Sequence, residues 1–371
     1  MEQIKNANYE NKIIESSKIF FQQTHDHFPK QFIWPKDHQS SCTEELNERI
    51  IDLKGFLQRD KDATLHAANL VKESCLKHGF FQVVNHGIDP ELLMLAEKHG
   101  RAFFELPITE KLKCQKKNGS IVGYVTAHVD RFAAKLPWKE LVSFEHHENG
   151  PERVVEEYFN ATLGSHYKET GLIFQKVCES MRKLALELLE LLEISLDVHN
   201  GINSYYKQLY DDCVSLVRCN NYPRCDKPEL TYGVQPHRDP TSLTILHQDD
   251  VGGLEVFTDN KWKSVKPHPE ALVINIGDTL QALTNGKYKS CLHRVMANNV
   301  KSRLSFTYFL SPRLDKQLKV PRELVERDGK QEYPDFTWGE FLNFTQKHHR
   351  ADDATLDHFT KWLKTSNNSK A

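Results

Sequence analysis

The chain has 371 residues, 39% hydrophobic and 27% charged. That composition supplies a core at this length and is too apolar for a disordered chain. Lys and Arg number 49 against 51 Asp and Glu, a net charge of −2, so no overall field draws the protein to nucleic acid or to an anionic membrane. No apolar run reaches the ~18–20 residues of a membrane span. The most apolar stretch, Leu184 to Leu196, is broken by Glu187, Glu190 and Glu193, which read as a solvated helix face. Met1 to Glu15 is polar, without the apolar segment of a secretory signal, and its acidic residues disfavour a transit peptide. The eight cysteines form no CxxC pair. Reduced thiols and a cytoplasmic location are therefore expected.

In chain order, residues 1–45 read as a poorly ordered extension with an aromatic patch from Phe32 to Pro35. Ala63 to His78 predicts a helix closed by Gly79. Phe80 to Val84 predicts a strand, and Asp89-Pro90 opens a second helix to about Phe104. Residues 113–135 read as loop or irregular strand. The polar stretch from Glu145 to Glu157, with His146-His147, reads as a solvated loop. Thr170 to Leu196 is a long helix, with Ile173, Val177, Met181, Leu184, Leu188 and Leu191 at helical spacing.

After Cys213 the period changes from 3.6 to 2. Val214–Cys219, Ser242–His247, Gly253–Thr258, Trp262–Val265, Ala271–Ile276, Tyr288–Val295 and Arg303–Leu310 all predict strands. Asp259-Asn260 and Asn285-Gly286 predict hairpin turns. Such closely spaced strands point to an antiparallel sandwich or small barrel. The helical period returns from Pro334 to Trp362. The layout is thus an extension (1–45), a helical N-terminal region (46–207), a β core (208–314) and a C-terminal helical segment (315–371).

The chemistry concentrates in the β core. In extended chain, residues i and i+2 point the same way, so His237 and Asp239 can reach one metal, with His293 downstream as a third donor. Two His and one carboxylate are the donor set of non-haem Fe(II) oxygenases, with positions left for a co-substrate and O₂. The His-x-Asp spacing alone is unspecific, because it also occurs at His128/Asp130 and His247/Asp249. Further pairs decide between them. Arg303 and Ser305 repeat the i, i+2 spacing and can hold a carboxylate. Asn220 and Tyr222 repeat it again. As core filler such pairs would each cost several kcal/mol. Cys291 reads as a small packed residue beside His293.

Asn220-x-Tyr222, His237-x-Asp239, His293 and Arg303-x-Ser305 together resemble the signature of plant 2-oxoglutarate/Fe(II)-dependent dioxygenases. The likeness runs from about Phe32 to Leu363. Within that family, Gln31–Pro35, Lys135–Glu140, Asp239–Asp249, Val273–Asp278 and Asn285–His293 resemble gibberellin 20-oxidases, departing from them at Leu141, Asn221 and Arg224. The resemblance implies a mixed α/β fold with a mainly β core, a double-stranded β-helix (jelly roll) flanked by N- and C-terminal helices. It implies Fe(II) on His237, Asp239 and His293. It implies 2-oxoglutarate on Arg303 and Ser305, assisted by Tyr222 and Asn220, with O₂ as second co-substrate and ascorbate as stimulant. The expected reaction is stepwise oxidation of C-20 of a gibberellin precursor, from methyl to alcohol to aldehyde. Loss of that carbon or oxidation to the carboxylic acid then follows. Lys135, Trp138 and Lys139 are the candidate contacts to this apolar, carboxylate-bearing small molecule. A monomer acting without nucleic acid or membrane is expected. The competing readings are the same chemistry on another gibberellin position or another plant metabolite such as a flavonoid, a zinc hydrolase, and a catalytically silent binding module.

Overall fold

The computed structural model describes residues 28–35, 42, 44–127, 135–147, 153–198, 204–348 and 354–368. Most of the expected N-terminal extension, His128/Asp130 and His349 lie outside the described residues.

The strands in chain order are β1 (Ile50–Asp52), β2 (Phe80–Val84), β3 (Gly123–Thr126), β4 (Glu140–His147), β5 (Val214–Tyr222), β6 (Tyr232–His237), β7 (Leu243–Gln248), β8 (Leu254–Thr258), β9 (Lys261–Ser264), β10 (Leu272–Ile276), β11 (His293–Met296) and β12 (Arg303–Ser311). A major sheet runs β1-β2-β10-β7-β12-β5-β4-β3. A minor sheet runs β9-β8-β11-β6, with Glu44–Glu45 paired beside β9. Among the helices are α1 (Lys61–Lys77), α2 (Pro90–Phe104), α3 (Val154–Leu163), α4 (Lys168–Ser195), the short α5 (Asp278–Leu283), α6 (Trp338–His348) and α7 (Thr355–Asn368).

The major sheet is buried on both faces. Phe80, Tyr222, Leu246 and Val273 meet Leu254, Val256 and Val295 of the minor sheet. The alternate residues, among them Phe81, Ile245, Ile274 and Phe306, join Leu184, Leu188 and Leu191 of α4 in the larger core. This is the jelly-roll sandwich with a helical layer on one side, and it explains why its central strands read as near-continuous apolar runs. The helix starts follow the expected chemistry. Asp60 caps α1 by accepting from the Ala63 amide, and Asp89 caps α2 from Glu91 with Pro90 in the first turn.

Several expectations are corrected. The N-terminal region is not only helical, because β1 and β2 build one edge of the major sheet and β3 and β4 the other. His146 is buried on β4, and not in a solvated loop; the polar residues that end this strand hide its period. β6 escapes the pattern because Gly233 and Pro236 interrupt it; it is the edge strand of the minor sheet, where a missing N–H is tolerated. The strand around His293 begins at that residue, not at Tyr288. Asp259-Asn260 makes its hairpin turn with φ of 53° and 59°. Asn285-Gly286 instead ends α5, where the Gly286 N–H donates to the Gln281 carbonyl. Both settings need positive φ, so the dipeptide alone cannot separate them. Glu193 is buried and accepts from the Tyr206 amide, while Glu187 and Glu190 bind Arg59 and Lys207. All eight cysteines are free thiols, seven of them buried.

One buried charge pair ties the β4 edge to the short helix Ile108–Lys111. The Glu140 carboxylate accepts from Lys111 Nζ at 2.8 Å, Tyr124 Oη at 2.6 Å and Asn221 Nδ2 at 2.9 Å. Both charges are out of water. Lys111→Met removes the cation and strands the carboxylate. We expect a loss of ~3–5 kcal/mol in denaturant unfolding, with Lys111→Met/Glu140→Gln recovering much of it.

Candidate metal centre and co-substrate pocket

His237 closes β6 and His293 opens β11, and the antiparallel register sets them directly opposite each other. Their ring centroids lie 4.3 Å apart. Asp239 follows two residues after His237, with its Oδ1 3.6 Å from His237 Nε2 and its Oδ2 3.9 Å from His293 Nε2. One donor atom from each of the three falls within 4.8 Å of the others, and no other such group occurs among the described residues. Each imidazole is aimed from behind. Nδ1 of His237 donates to the Gln235 carbonyl at 2.9 Å, and Nδ1 of His293 to that of Cys291 at 3.1 Å. Nε2 is thereby left for a ligand. Thr244 Oγ1 donates to Asp239 Oδ2 at 2.7 Å.

The electrostatics suit a divalent cation. Burial, and then the neighbouring His293, pushes His237 down to about 3, so its imidazole is neutral. Burial alone would raise Asp239, but the two imidazoles and the Thr244 hydroxyl hold it below the ordinary carboxylate range. His247/Asp249 has a different task. Asp249 accepts from Arg101 and from the Leu304 amide, fixing the start of β12. Cys291 is buried and contributes only its carbonyl.

The loop after Asp239 sits on the N-terminus of α5. Asp278 N–H donates to the Asp239 carbonyl at 2.8 Å, Gly277 N–H to Ser242 at 3.0 Å, and Thr279 Oγ1 to Pro240 at 2.7 Å. A Cβ on Gly277 would lie 2.0 Å from the Thr241 oxygen and 2.9 Å from that of Asp239. Only glycine allows this approach.

The inner face of the major sheet continues the site. Arg303 lies opposite Tyr222, and Ser305 opposite Asn220 on one side and Gln248 on the other. The Arg303 guanidinium is 1% exposed and lies 5.0 Å from the Tyr222 ring centroid. Its Nη2 donates to Gln248 Oε1 at 2.7 Å, while Nε and Nη1 are buried without a partner. Two unmade bonds on a buried cation are costly. A carboxylate from a ligand would satisfy both. Asn220 Nδ2 donates to Thr307 Oγ1 at 3.2 Å and reaches Ser305 Oγ at 3.5 Å.

The three candidate substrate contacts divide. Trp138 is fully buried, stacks on Phe28, meets Phe32 edge-on and donates Nε1 to the Pro223 carbonyl. It is a core residue. Lys135 directs Nζ to the Lys30 carbonyl at 3.4 Å. Lys139 is buried just before β4, and its charge bears on His237. Sequence reading missed Thr244, Gln248 and Arg218. The same i, i+2 rule extends to them: Thr244 and Gln248 share a face of β7, and Arg218 precedes Asn220 by two on β5.

Gly277→Ala should push the Asp239 backbone out of place. We expect divalent-metal affinity, measured by calorimetry with Mn(II), to fall ten-fold or more, the usual cost of losing an orienting contact.

Comparison with known proteins agrees with this geometry. Residues 213–312 match the 2OG-Fe(II) oxygenase superfamily, and residues 49–162 the non-haem dioxygenase in morphine synthesis N-terminal family. The chain is 47% identical over 365 residues to gibberellin 20 oxidase 3 of Arabidopsis thaliana, covering 96% of this chain and 95% of that one. It is 47% identical to gibberellin 20 oxidase 2 of Oryza sativa subsp. indica, covering 90% and 85%. Among solved structures it is similar to JOX2 in complex with 2OG, Fe and JA, at TM-score 0.76 and 29% identity, covering 93% and 97%. It is also similar to the rice dioxygenase for auxin oxidation, at TM-score 0.70 and 26% identity, covering 84% and 98%. The chain therefore belongs to the 2-oxoglutarate/Fe(II)-dependent oxygenases and, within them, to the gibberellin 20-oxidase family.

Proposed function

We propose that this enzyme oxidises C-20 of a C20 gibberellin precursor stepwise, from methyl to alcohol to aldehyde, and then releases the carbon to give a C19 gibberellin or oxidises it to the carboxylic acid. What supports the reading is likeness to gibberellin 20 oxidases over nearly the whole chain, joined to one observation. The buried Arg303 keeps two unsatisfied donors on the sheet face that continues from the His237, Asp239 and His293 cluster. A zinc hydrolase has no need of that clamp.

In this reading the Nε2 atoms of His237 and His293 and the Asp239 carboxylate hold Fe(II). When bound, the iron and the 2-oxo acid together supply the oxidising chemistry, consuming O₂ and releasing succinate and CO₂. Arg303 takes the distal carboxylate of 2-oxoglutarate through Nε and Nη1, with Ser305, Tyr222 and Asn220 around it. Gln248 fixes the fork of the guanidinium through Nη2. The Gln235 and Cys291 carbonyls hold both imidazoles in the ligating tautomer. The catalytic unit is centred on 208–314, with 46–207, which adds helices and the sheet-edge strands β1 to β4, and the helical region 315–371 around it and 1–45 as an extension. The enzyme works as a cytoplasmic monomer on a small molecule, without nucleic acid or membrane. The net charge is −2, and among the described residues no helix is long and apolar enough to cross a membrane.

The test is anaerobic reconstitution with Fe(II), then 2-oxoglutarate, O₂ and ascorbate, with and without a C20 gibberellin precursor. Succinate should form together with the alcohol and aldehyde, read by mass spectrometry. Succinate without gibberellin products would move the substrate elsewhere. Asp239→Ala should abolish turnover, and near-normal activity would refute the choice of this His-x-Asp pair. Arg303→Ala should raise the 2-oxoglutarate KM roughly 10- to 100-fold, the worth of a charge-assisted hydrogen bond.

A further inference from the structure

We infer that Arg101, on helix α2, is a positioning residue for 2-oxoglutarate. It neutralises the buried Asp249 carboxylate, and so holds the head of the strand that carries Arg303 without leaving a negative charge beside the clamp. The inference rests on the reading of Arg303 as the co-substrate clamp and adds a residue of the N-terminal region to it.

Two consecutive residues grip two others. At the end of β7, Gln248 accepts from the Arg303 side chain. The next residue, Asp249, takes the backbone. Its Oδ2 accepts from the Leu304 amide at 2.6 Å, and its own amide donates to the Leu304 carbonyl at 3.2 Å. Its Oδ1 accepts from the Val251 amide at 3.1 Å. The Asp249 side chain is 1% exposed, and the cation it meets is Arg101, whose Nη2 lies 2.8 Å from Oδ2. Arg101 is aimed in turn by Glu97, one turn earlier on α2, whose Oε1 accepts from Nε at 3.1 Å and from Nη2 at 2.8 Å.

Helix α2 is seated on the same stretch of strand. A Cβ on Gly100 would lie 3.1 Å from Leu304 Cδ2, 3.1 Å from Cys219 Sγ and 3.2 Å from Phe306 Cζ. The helix backbone therefore rests on the helical face of β12 at Leu304, and alternation sends Arg303 to the other face. Arg101 lies in the stretch matched to the N-terminal dioxygenase family, and Asp249 and Arg303 in the stretch matched to the oxygenase superfamily. One ion pair thus joins the two matched regions at the root of the clamp.

The charges make this more than a fastening. Taking one partner from a buried pair leaves the other uncompensated. Without Arg101, the Asp249 carboxylate would be a buried anion next to the residue that must bind another anion, with little water to screen it. The reverse loss is milder, because Arg101 is 33% exposed and keeps Glu97.

The test is calorimetric titration of 2-oxoglutarate into the Mn(II)-loaded protein without O₂, which reads binding and not turnover. Arg101→Gln should weaken 2-oxoglutarate roughly 5- to 20-fold and leave Mn(II) affinity within about two-fold. Asp249→Asn keeps an acceptor for the Leu304 amide and should stay within about three-fold of wild type. Arg101→Gln/Asp249→Asn should recover to within about three-fold as well. A merely structural contact would make the two single variants alike and the double no better. Arg101→Lys, which keeps the charge without the fork, should lose roughly two- to five-fold. If the glutamine variant does not fold, wild-type affinity in Arg101→Lys overturns the inference. Arg303→Ala tests the reading beneath it. Should Arg303→Ala weaken 2-oxoglutarate while Arg101→Gln does not, or should the double variant bind as weakly as Arg101→Gln, the inference is overturned and the clamp stands. If Arg303→Ala binds 2-oxoglutarate like wild type, the clamp reading fails and this assignment fails with it.

Discussion

A guanidinium buried inside a β sandwich with two N–H groups unmatched is the constraint around which this protein is organised. Arg303 cannot reach water, and only Nη2 finds an internal partner. Each stranded donor costs on the order of 1–3 kcal/mol, so the folded chain carries a standing demand for an anion. No side chain among the described residues meets the demand, so an anionic ligand would, and the interior is fitted to be a binding site instead of a sealed core. The two-sheet architecture allows this. The helical side of the major sheet supplies the large apolar core, and the smaller inter-sheet cluster stops short of the polar strip.

The metal centre is a consequence of strand register. His237 and His293 meet because β6 and β11 pair residue for residue at that point. Asp239 meets them because its loop is hung on the amides at the start of α5. The close approach at Gly277 makes the second condition strict. None of these supports touches the metal, yet together they fix the direction of three donors.

Distant parts of the chain contribute through the sheet edges. β3 and β4 extend the major sheet beyond β5, and the Glu140 carboxylate fastens that edge by three hydrogen bonds. Trp138, just before β4, closes a separate apolar cluster with Phe28 and Phe32. The Lys135–Glu140 segment, one of those that resemble gibberellin 20-oxidases, therefore includes a core tryptophan and a buried ionic anchor.

Much of this was legible in the residues alone. The long helix α4, the caps of α1 and α2 and the central strands follow from periodicity and capping, which are local properties. The candidate site residues stand out in the sequence because i, i+2 pairs of polar groups in apolar strands are costly as filler. Strand β6 was not legible, because Gly233 and Pro236 read as breaks and only its position at a sheet edge makes them tolerable. Nor was the burial of His146, on a strand paired with β5, or of Glu193, which accepts from the Tyr206 amide of the following helix. The sequence by itself determined the donor types, their spacing and the family. The tertiary structure showed that, among the described residues, His237/Asp239 and not His247/Asp249 is completed by a third donor, and which strands flank the site. The reason is physical: alternation says that a side chain points inward, but only sheet pairing says what it meets there.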